Sequence, residues 1–403
     1  MKIFLHTMYY LPDFGSAPVL MDELAGYLAA AGHDVEVVTT MPRARGAEFR
    51  GLFYSRRKDR GFVVKRFWTN AAPFPLARLL AWNIYTAGAL LNLLSVRKGD
   101  ILFLRTPPLQ LGVPAFWAKA VCGARVLVNV QDIHPDLAIQ SGILKNPAGI
   151  RFAKALEKWV YGLADRIAVI SDGFARNLRE KGVPAGKVEV LPNWVDTDFL
   201  KPGPKDNPVS RRHGLHDKFV VMYSGTVSIS SNRALERVLE AAKILAGDPD
   251  IIFVIVGEGL KKEALRKKAA SLGLRNTAFL PFQPYLDLPD LLASADVLLV
   301  PLDKEKSQLS VPSKLYTFMA AGRPILGLAE PDSEVAILLR EKECGLAVPS
   351  DGAAAVAEAV RTLERSPERR RLLGGNAREH VVRQFAKDKI LGSYDKLLRS
   401  MVS

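Results

Sequence analysis

Cysteine is nearly absent from this sequence. Only Cys122 and Cys344 occur among 403 residues, far apart and without the spacing of a metal site. This excludes a disulfide scaffold and a cysteine zinc site, and it predicts a reduced compartment. The first residues, MKIFLHTMYYLPDFG, read as a strand and a turn and lack the long apolar run of a signal peptide. We therefore expect a cytoplasmic protein.

Acidic residues are too few to balance the basic ones. The chain has 42 Asp and Glu against 56 Lys and Arg, a formal net charge of +14. Such an excess attracts an anionic partner, which can be nucleic acid, anionic lipid or a phosphorylated small molecule. Nine of the basic residues fall within residues 43–66, with Phe and Tyr interleaved. This mixture suits either a nucleic acid or a lipid surface.

Long apolar runs are scarce, and one of them follows this basic segment. Residues 79–96 are 18 positions without a charge, which is the lower limit for a transmembrane helix. Asn83, Asn92 and Ser95 within the run, and the lack of a second one, favour a buried or interface-lying helix. Together the two segments favour lipid as the partner and not nucleic acid. We expect peripheral attachment to the anionic inner face of the cytoplasmic membrane.

Length and pattern indicate an α/β protein of two domains. A chain of 403 residues exceeds one ordinary hydrophobic core. Strands and helices alternate from Lys2 onwards, stop at KPGPKDNPVS (residues 201–210), and start again with a strand at residues 219–223. We predict two Rossmann-like, doubly wound domains, residues 1–200 and 201–380, with the proline-rich segment as linker and a cleft between them. Residues 381–403 are predicted to be a C-terminal helix that can pack back on the first domain.

Two loops of the first domain follow the carboxyl ends of predicted strands. Gly15 and Ser16 start a helix after the first strand, although the full glycine fingerprint of a dinucleotide site is missing. The strand RVLVNV runs into QDIHPD, which brings Asp132, His134 and Asp136 to the same edge. Carboxylates and an imidazole suit a reaction edge. Equally, the two aspartates could cap the next helix while His134 packs beside the following proline.

In the second domain, SQLSVPSKLYTFMAAGRPILG (residues 307–327) combines a turn, a helix and a helix stop. Pro312 keeps the chain extended, and Ser313 is expected to N-cap a helix that ends at Gly322. With Lys314, this helix start presents N–H groups, a hydroxyl and a cation, as a phosphate site requires. A simple cap with a solvated charge is the alternative. The small residues AAG predict close packing on a neighbouring strand or a ligand.

Further residues belong to the same predicted edge. They are Gly225 and Thr226 after a strand, Gly257 in GEG, Phe282 at a bend, and Arg233 at a helix start. A cation at a helix start opposes the helix dipole unless an anion is bound there, so Arg233 is a modest indication of a phosphate. A solvated arginine after a loop is equally consistent with the sequence.

In order and spacing, these segments resemble the family-4 glycosyltransferases of the GT-B fold, and among them the bacterial enzymes of O-antigen and capsule-type polysaccharide assembly. The resemblance covers nearly the whole chain and rests on YYLPDFGSAP, GHDVEVVTT, VQDIHPDLAIQSGILKNP, LADRIAVISDGFARNL, VEVLPNWVD, VMYSGTV, VGEGLKKEAL, LPDLLASADVLLVPL and VPSKLYTFMAAGRPIL. It implies an acceptor-binding first domain and a nucleotide-sugar-binding second domain. The implied reaction moves a sugar, from a UDP-sugar before other donors, to a lipid-linked saccharide, with retention and without a metal or other cofactor.

The resemblance also implies roles for single residues. Without a metal, fixed cations and N–H dipoles must stabilise the leaving diphosphate. The matching residues are Arg233, Lys314, Ser313 and the backbone of Gly15 and Ser16. Asp132 and His134 would orient the donor sugar or the acceptor, because the leaving phosphate itself can take the acceptor proton.

Two departures from the family pattern stand out. Members usually carry two glutamates eight positions apart, the second of which holds the donor ribose, but the matching positions here are Leu309 and Thr317. We keep Thr317 among the donor-binding residues and expect Glu334, at the next helix start, to hold the ribose. Related assembly enzymes often have tryptophan in place of His134, which leaves the acceptor open. The alternative functions are a GT-B epimerase or hydrolase of soluble nucleotide sugars and an inactive sugar-binding scaffold subunit.

Overall fold

The computed structural model describes residues 1–13, 15–42, 49, 52–69, 75–227, 232–304 and 312–402. The chain forms two compact units, Met1–Asn193 with Asp388–Ser403, and Trp194–Lys387. The domain boundaries predicted from the sequence, 200/201 and 380/381, lie a few residues from the boundaries of these units, 193/194 and 387/388. In the first unit the strands are β1 (Lys2–His6), β2 (Asp34–Thr40), β3 (Tyr54–Asp59), β4 (Phe62–Phe67), β5 (Ile101–Thr106), β6 (Arg125–Val130), β7 (Arg166–Val169) and β8 (Val188–Val190).

The first unit is a largely parallel sheet with helices on its faces. Its strand order is β3-β4-β2-β1-β5-β6-β7-β8, and only β3 runs antiparallel to its neighbour β4. The helices of this unit before the second unit begins are α1 (Ser16–Ala30), α2 (Pro75–Leu91), α3 (Gly112–Cys122), α4 (Asp136–Gln140), α5 (Pro147–Leu163) and α6 (Asp172–Glu180).

The second unit is a six-stranded sheet in which every strand pair is parallel. Its strands are β9 (Phe219–Ser224), β10 (Ile251–Val256), β11 (Thr277–Leu280), β12 (Val297–Pro301), β13 (Ile325–Leu328) and β14 (Gly345–Val348). The remaining helices, all in this unit except the last, are α7 (Pro208–Arg212), α8 (Asn232–Ile244), α9 (Lys262–Ser271), α10 (Leu288–Ala293), α11 (Lys314–Ala320), α12 (Glu334–Glu341), α13 (Ala353–Glu364), α14 (Pro367–Phe385) and α15 (Lys387–Ser400).

Both sheets are doubly wound, as the sequence predicted. The order of the second sheet, β11-β10-β9-β12-β13-β14, is the 3-2-1-4-5-6 order of a dinucleotide-binding fold. The first sheet repeats this order in β4-β2-β1-β5-β6-β7 and adds a strand at each edge. A strand such as IIFVIV is wholly apolar because helices cover both faces of a parallel sheet. The strand order reverses between β1 and β5 and between β9 and β12, where such folds bind ligands.

The proline-rich segment is not a free linker, and that prediction was wrong. Asn207 accepts hydrogen bonds from the N–H groups of Val209 and Ser210 at the start of α7 and donates to the Asp290 carbonyl at 2.9 Å. Lys205 pairs with the Asp296 carboxylate. Capping and ion pairing thus fix these residues within the second unit, because polar turn residues satisfy buried backbone groups as readily as they form linkers.

The charge-free segment forms α2 followed by a 3-10 helix at Asn92–Ser95. Tyr85 is fully buried and donates to the Val38 carbonyl of β2 at 2.7 Å, which fixes one side of α2 on the sheet. Leu91 and Leu94 point to solvent. Within the described part of the chain, no helix is both long and apolar enough to cross a membrane.

The helix predicted around Lys314 is present as α11, but its start differs from the prediction. Ser313 occupies the N-cap position with helical backbone angles and makes no side-chain cap hydrogen bond. The Leu315 N–H instead bonds to the Pro312 carbonyl at 2.9 Å, so a backbone turn begins the helix. Gly322, with φ at 65°, ends it as predicted. Residues 307–311 of the predicted segment lie outside the described residues.

The small residues at the end of α11 serve helix packing. A Cβ on Gly374 of α14 would lie 2.2 Å from the Gly322 carbonyl oxygen, and one on Gly322 would lie 2.8 Å from Pro202. Gly322 therefore has a helix and a proline as close neighbours, and α11 as a whole also contacts the strand β12.

Candidate functional site

Lys314 lies over Tyr223 at the carboxyl end of the central strand β9. Its Nζ donates to the Tyr223 hydroxyl at 2.7 Å and is 4.1 Å from the centre of the ring. The same hydroxyl donates to the Thr226 carbonyl at 2.7 Å. Tyr223 thus connects the strand end, the following loop and the cation of α11. This is the β9/β12 reversal point of the second sheet, where a doubly wound fold binds its ligand.

Two glycines allow close packing at this edge, because a side chain at either position would collide with its neighbour. A Cβ on Gly225 would lie 2.8 Å from Lys314 Nζ, and a Cβ on Gly257 would lie 2.0 Å from the Gly225 carbonyl oxygen. Both have left-handed backbone angles, with φ at 148° and 139°. The Gly225 N–H donates to the Val256 carbonyl at 2.9 Å and the Gly257 N–H to the Leu280 carbonyl at 3.0 Å. The ends of β9, β10 and β11 therefore form one stack of close-packed loops.

Phe282 belongs to the same stack. A Cβ on Gly257 would lie 3.4 Å from its ring, and the ring is partly exposed. An exposed aromatic face beside loops of small residues can stack on a planar ligand group.

Burial lowers the pKa of Lys314 to about 7. Desolvation is the cause, because it disfavours the charged form of a lysine. The ammonium form would regain stability from an anion placed beside it. Ser313, Lys314 and Thr317 are also the positions of this turn that remain partly open, whereas Leu315 and Tyr316 are buried.

Glu334 begins α12 and carries an unsatisfied acceptor. Ser333 caps this helix through a 3.1 Å hydrogen bond from the Ala336 N–H, so Glu334 is not needed as the cap. Its Oε1 is buried and has no hydrogen-bond partner among the residues that the structure describes. Burial raises the pKa of Tyr316, the neighbour of Thr317 on α11, and the Glu334 charge raises it further. A buried carboxylate oxygen close to α11 can accept hydrogen bonds from ligand hydroxyl groups.

Arg233 is exposed in the first turn of α8. The helix start there already has an anion, because the Ala234 N–H donates to the Asp303 carboxylate at 2.9 Å. The helix-dipole argument for a phosphate at Arg233 was therefore wrong, since Asp303 supplies the negative charge. A phosphate-binding role for Arg233 stays a prediction. Residues 228–231 before it lie outside the described residues.

In the first unit, Gly15 and Ser16 lie where the sequence placed them. Gly15, with φ at 121°, is the N-cap residue of α1, and Ser16 is its first residue. Both are exposed, and the first turn of α1 contains no acidic residue. The start of a helix of 15 residues thus follows the loop after β1 at the reversal point of this sheet.

Asp132 and His134 lie in the loop between β6 and α4. The His134 ring meets the Trp82 ring edge-on, with 6.2 Å between centroids. Asp136 starts α4 and pairs with Lys181 at 2.8 Å, and the N-cap residue is Pro135. The alternative in which both aspartates cap this helix is therefore wrong. The second half of that alternative placed His134 beside Pro135, whereas the ring contact seen in the structure is with Trp82.

The sequence analysis missed Arg105 and Tyr223. Arg105 is the next-to-last residue of β5, donates to the Gln131 side chain at 3.3 Å, and has its pKa lowered to about 10 by burial against an opposing effect of Asp132. Tyr223 was read only as part of a strand. A polar side chain next to the carboxyl end of a largely apolar strand was the available signal in both cases.

Comparison with known proteins assigns each half of the chain. Residues 15–194 match the Glycosyl transferase 4-like domain, and residues 208–380 match the Glycosyl transferases group 1 domain. WcaI of Escherichia coli K12, named as a colanic acid biosynthesis glycosyl transferase, is 28% identical over 98% of both chains. WbjE of Pseudomonas aeruginosa, named as a glycosyltransferase, is 26% identical over 66% of both chains.

Solved structures share the fold at low identity. Sucrose-phosphate synthase of Thermosynechococcus elongatus has a TM-score of 0.77 at 18% identity, with 99% of this chain and 98% of that chain covered. Anabaena HepE in complex with UDP has a TM-score of 0.74 at 17% identity, with 99% and 100% covered.

Proposed function

The chain belongs to the family-4 glycosyltransferases of the GT-B fold, and from this premise we propose that it transfers a sugar from a nucleotide diphosphate donor, a UDP-sugar, to a lipid-linked saccharide in cell-surface polysaccharide assembly. The observation that carries the proposal is the half-buried Lys314 ammonium over Tyr223, against Gly225, at the reversal point of the second sheet. HepE, with the same fold, has been crystallised with UDP and with UDP-glucose. WcaI, similar over its whole length, is named for colanic acid biosynthesis.

The diphosphate of the donor would lie at Lys314 and Ser313. Cleavage of the bond between the anomeric carbon and the phosphate oxygen leaves a negative charge on the diphosphate, which a fixed cation stabilises without a metal. The acceptor hydroxyl forms the new bond on the same face, and its proton passes to the leaving phosphate oxygen. Arg233 supplies a second cation in this scheme. Configuration at the anomeric carbon is retained.

Glu334, Thr317 and Phe282 would hold the nucleoside. The unsatisfied Glu334 oxygen accepts hydrogen bonds from the ribose hydroxyls, as the missing glutamate at position 317 would have done. Thr317 lies on the same open side of α11 as Lys314. Phe282 offers its exposed ring to the base, beside the close-packed Gly257.

The first unit would bind the acceptor. Asp132 and His134 orient the accepting hydroxyl, and the N–H groups at the helix start of Gly15 and Ser16 offer a dipole to an anionic group of a substrate. Support comes from their places on loops at the carboxyl edge of the sheet. A peripheral position at the inner membrane surface follows from a lipid-linked acceptor and from the basic residues exposed on β3.

The test is transfer itself. Purified protein is incubated with radiolabelled UDP-sugars and lipid-linked saccharides, with and without EDTA, and the anomeric configuration of the product is read by NMR. Retained configuration and EDTA-resistant turnover support the proposal. An inverted product, or a soluble epimerised nucleotide sugar in place of a glycolipid, contradicts it.

A further inference from the structure

Among the described side chains of α2 and α3, every exposed residue except Asn83 is apolar. On α3 every exposed residue is apolar, including Phe116, Trp117 and Val121. On α2 and the 3-10 helix after it, Leu91 and Leu94 are exposed, and Leu94 retains 94% of its accessible surface. These elements pack against one another in the first unit. Exposed apolar side chains on adjacent helices form a continuous surface of the kind that marks an interaction site.

Helix α5 extends this surface with aromatic side chains. The Phe116 ring contacts the rings of Trp117 and Trp159, with centroids 6.0 and 6.1 Å apart. Gly112 permits this packing, since a Cβ there would lie 2.8 Å from the Trp159 ring. The rings are thus held in place by contacts of their own while part of each stays exposed. Phe152, about two turns before Trp159 on the same side of α5, is 71% exposed.

The rim of this surface is basic. Arg151, Lys154 and Lys158 are exposed on α5, and Arg97 and Lys98 follow the 3-10 helix. The sequences of α2 and α3 contain no acidic residue, and the one in α5, Glu157, is buried against Lys181 at 2.6 Å. The charged residues that these elements expose beside the apolar side chains are therefore basic.

We propose that this face, formed by α2, α3, α5 and residues 92–98, docks the protein on an anionic lipid bilayer. Trp and Phe side chains bury well at the level of lipid headgroups, and lysines around them attract anionic lipid. The charge decides between a bilayer and a second copy of this chain. Two copies that met through this face would bring their basic rims together and repel each other. The proposal rests on the proposed transfer to a lipid-linked acceptor, whereas UDP binding in solution tests the donor site independently of vesicles.

The experiment uses full-length protein and sedimentation with vesicles of phosphatidylcholine alone or mixed with phosphatidylglycerol. One variant combines Leu94→Ser, Val121→Ser and Phe152→Ser, three highly exposed positions whose change leaves the core intact. Its matched control combines Leu286→Ser and Leu372→Ser, which are 80% and 60% exposed in the second unit. A charge variant combines Lys154→Gln and Lys158→Gln, and its control combines Lys243→Gln and Lys267→Gln, which are also exposed.

We expect the wild type to bind the anionic vesicles and the apolar variant to bind at least about tenfold more weakly. The affinity of the charge variant for the anionic vesicles should fall about fivefold for each lysine, and its affinity for vesicles of phosphatidylcholine alone should not change. Both controls should bind as the wild type does. Wild-type binding by the apolar variant, or no binding by the wild type, overturns the proposal. A third result also overturns it: the wild type is a dimer, the apolar variant is a monomer, and the variant still binds vesicles. The face would then be a self-association surface.

Discussion

Replacement of Lys314 by methionine isolates the charge at the candidate donor site. Methionine keeps most of the length and apolar packing of lysine, and removes the ammonium that lies 2.7 Å from the Tyr223 hydroxyl. A fixed group that stabilises a developing anion contributes about 2–4 kcal/mol to the transition state. This corresponds to a fall in kcat of roughly 30- to 1,000-fold. Lys267→Met, on the exposed side of α9, serves as control and should change nothing.

The same change should stabilise the protein without ligand. Burial lowers the pKa of Lys314 to about 7 from an ordinary 10.5. Between these values the unfolded chain binds one more proton than the folded chain, so the free energy of unfolding rises with pH. Below pH 7 both states are protonated and the destabilisation is present in full. Lys314→Met removes it, so the thermal midpoint at neutral pH should rise and the stability gain between pH 7 and 10.5 should shrink.

Donor binding should take up a proton through this lysine. A bound diphosphate favours the ammonium, so above pH 7 the affinity for UDP should fall by up to tenfold per pH unit. Isothermal titration at pH 8 in two buffers of different ionisation enthalpy measures the uptake. The wild type should take up nearly one proton per UDP and Lys314→Met none. A variant with wild-type kcat, UDP affinity and proton uptake would refute the assignment of Lys314.

Other changes test the neighbouring groups. Glu334→Gln should weaken UDP binding about tenfold and remove most of the preference for UDP over 2′-deoxy-UDP, because the charge-assisted hydrogen bonds to the ribose are lost. If the variant keeps this preference, another residue binds the ribose. Gly225→Ala should lower the thermal midpoint through backbone strain of about 1–3 kcal/mol and weaken UDP binding, whereas an unchanged midpoint would show that the loop relaxes. Removing Arg56, Arg57 and Lys58 together should weaken binding to anionic vesicles by about 1 kcal/mol per charge and leave turnover of a soluble acceptor analogue alone; intact vesicle binding would exclude β3 from the membrane contact.

The fold could be predicted because its signals are local. Apolar strands such as IIFVIV, short turns and helical spacing alternate along the chain, and parallel sheets require this alternation. The start of α11 was less predictable. Ser313 has the side chain of an N-cap, but Pro312 already closes the first turn through its carbonyl, and the sequence gives no measure of this competition.

The linker error and the Arg233 argument have a common origin. Asn207 reads as a turn residue, yet its amide reaches the Asp290 carbonyl on α10, far along the chain. Likewise the anion at the start of α8 is Asp303, which follows β12. Both contacts join residues distant in sequence, so local pattern could not reveal them. The unsatisfied oxygen of Glu334 is a similar case, because burial of a polar atom is set by tertiary packing.

The central claim is a nucleotide-diphosphate site on the second unit, and a thermal-shift screen of the purified protein tests it most directly. UDP, GDP, ADP and their common sugar conjugates are compared with UMP and uridine, for the wild type and for Lys314→Met. A ligand that binds only the folded protein raises the midpoint. We predict that UDP and a UDP-sugar raise the midpoint of the wild type selectively. UMP and uridine, which lack the second phosphate, should not raise it, and Lys314→Met should show no rise with any of these ligands. No shift with any nucleotide, or equal shifts in both proteins, would contradict the claim.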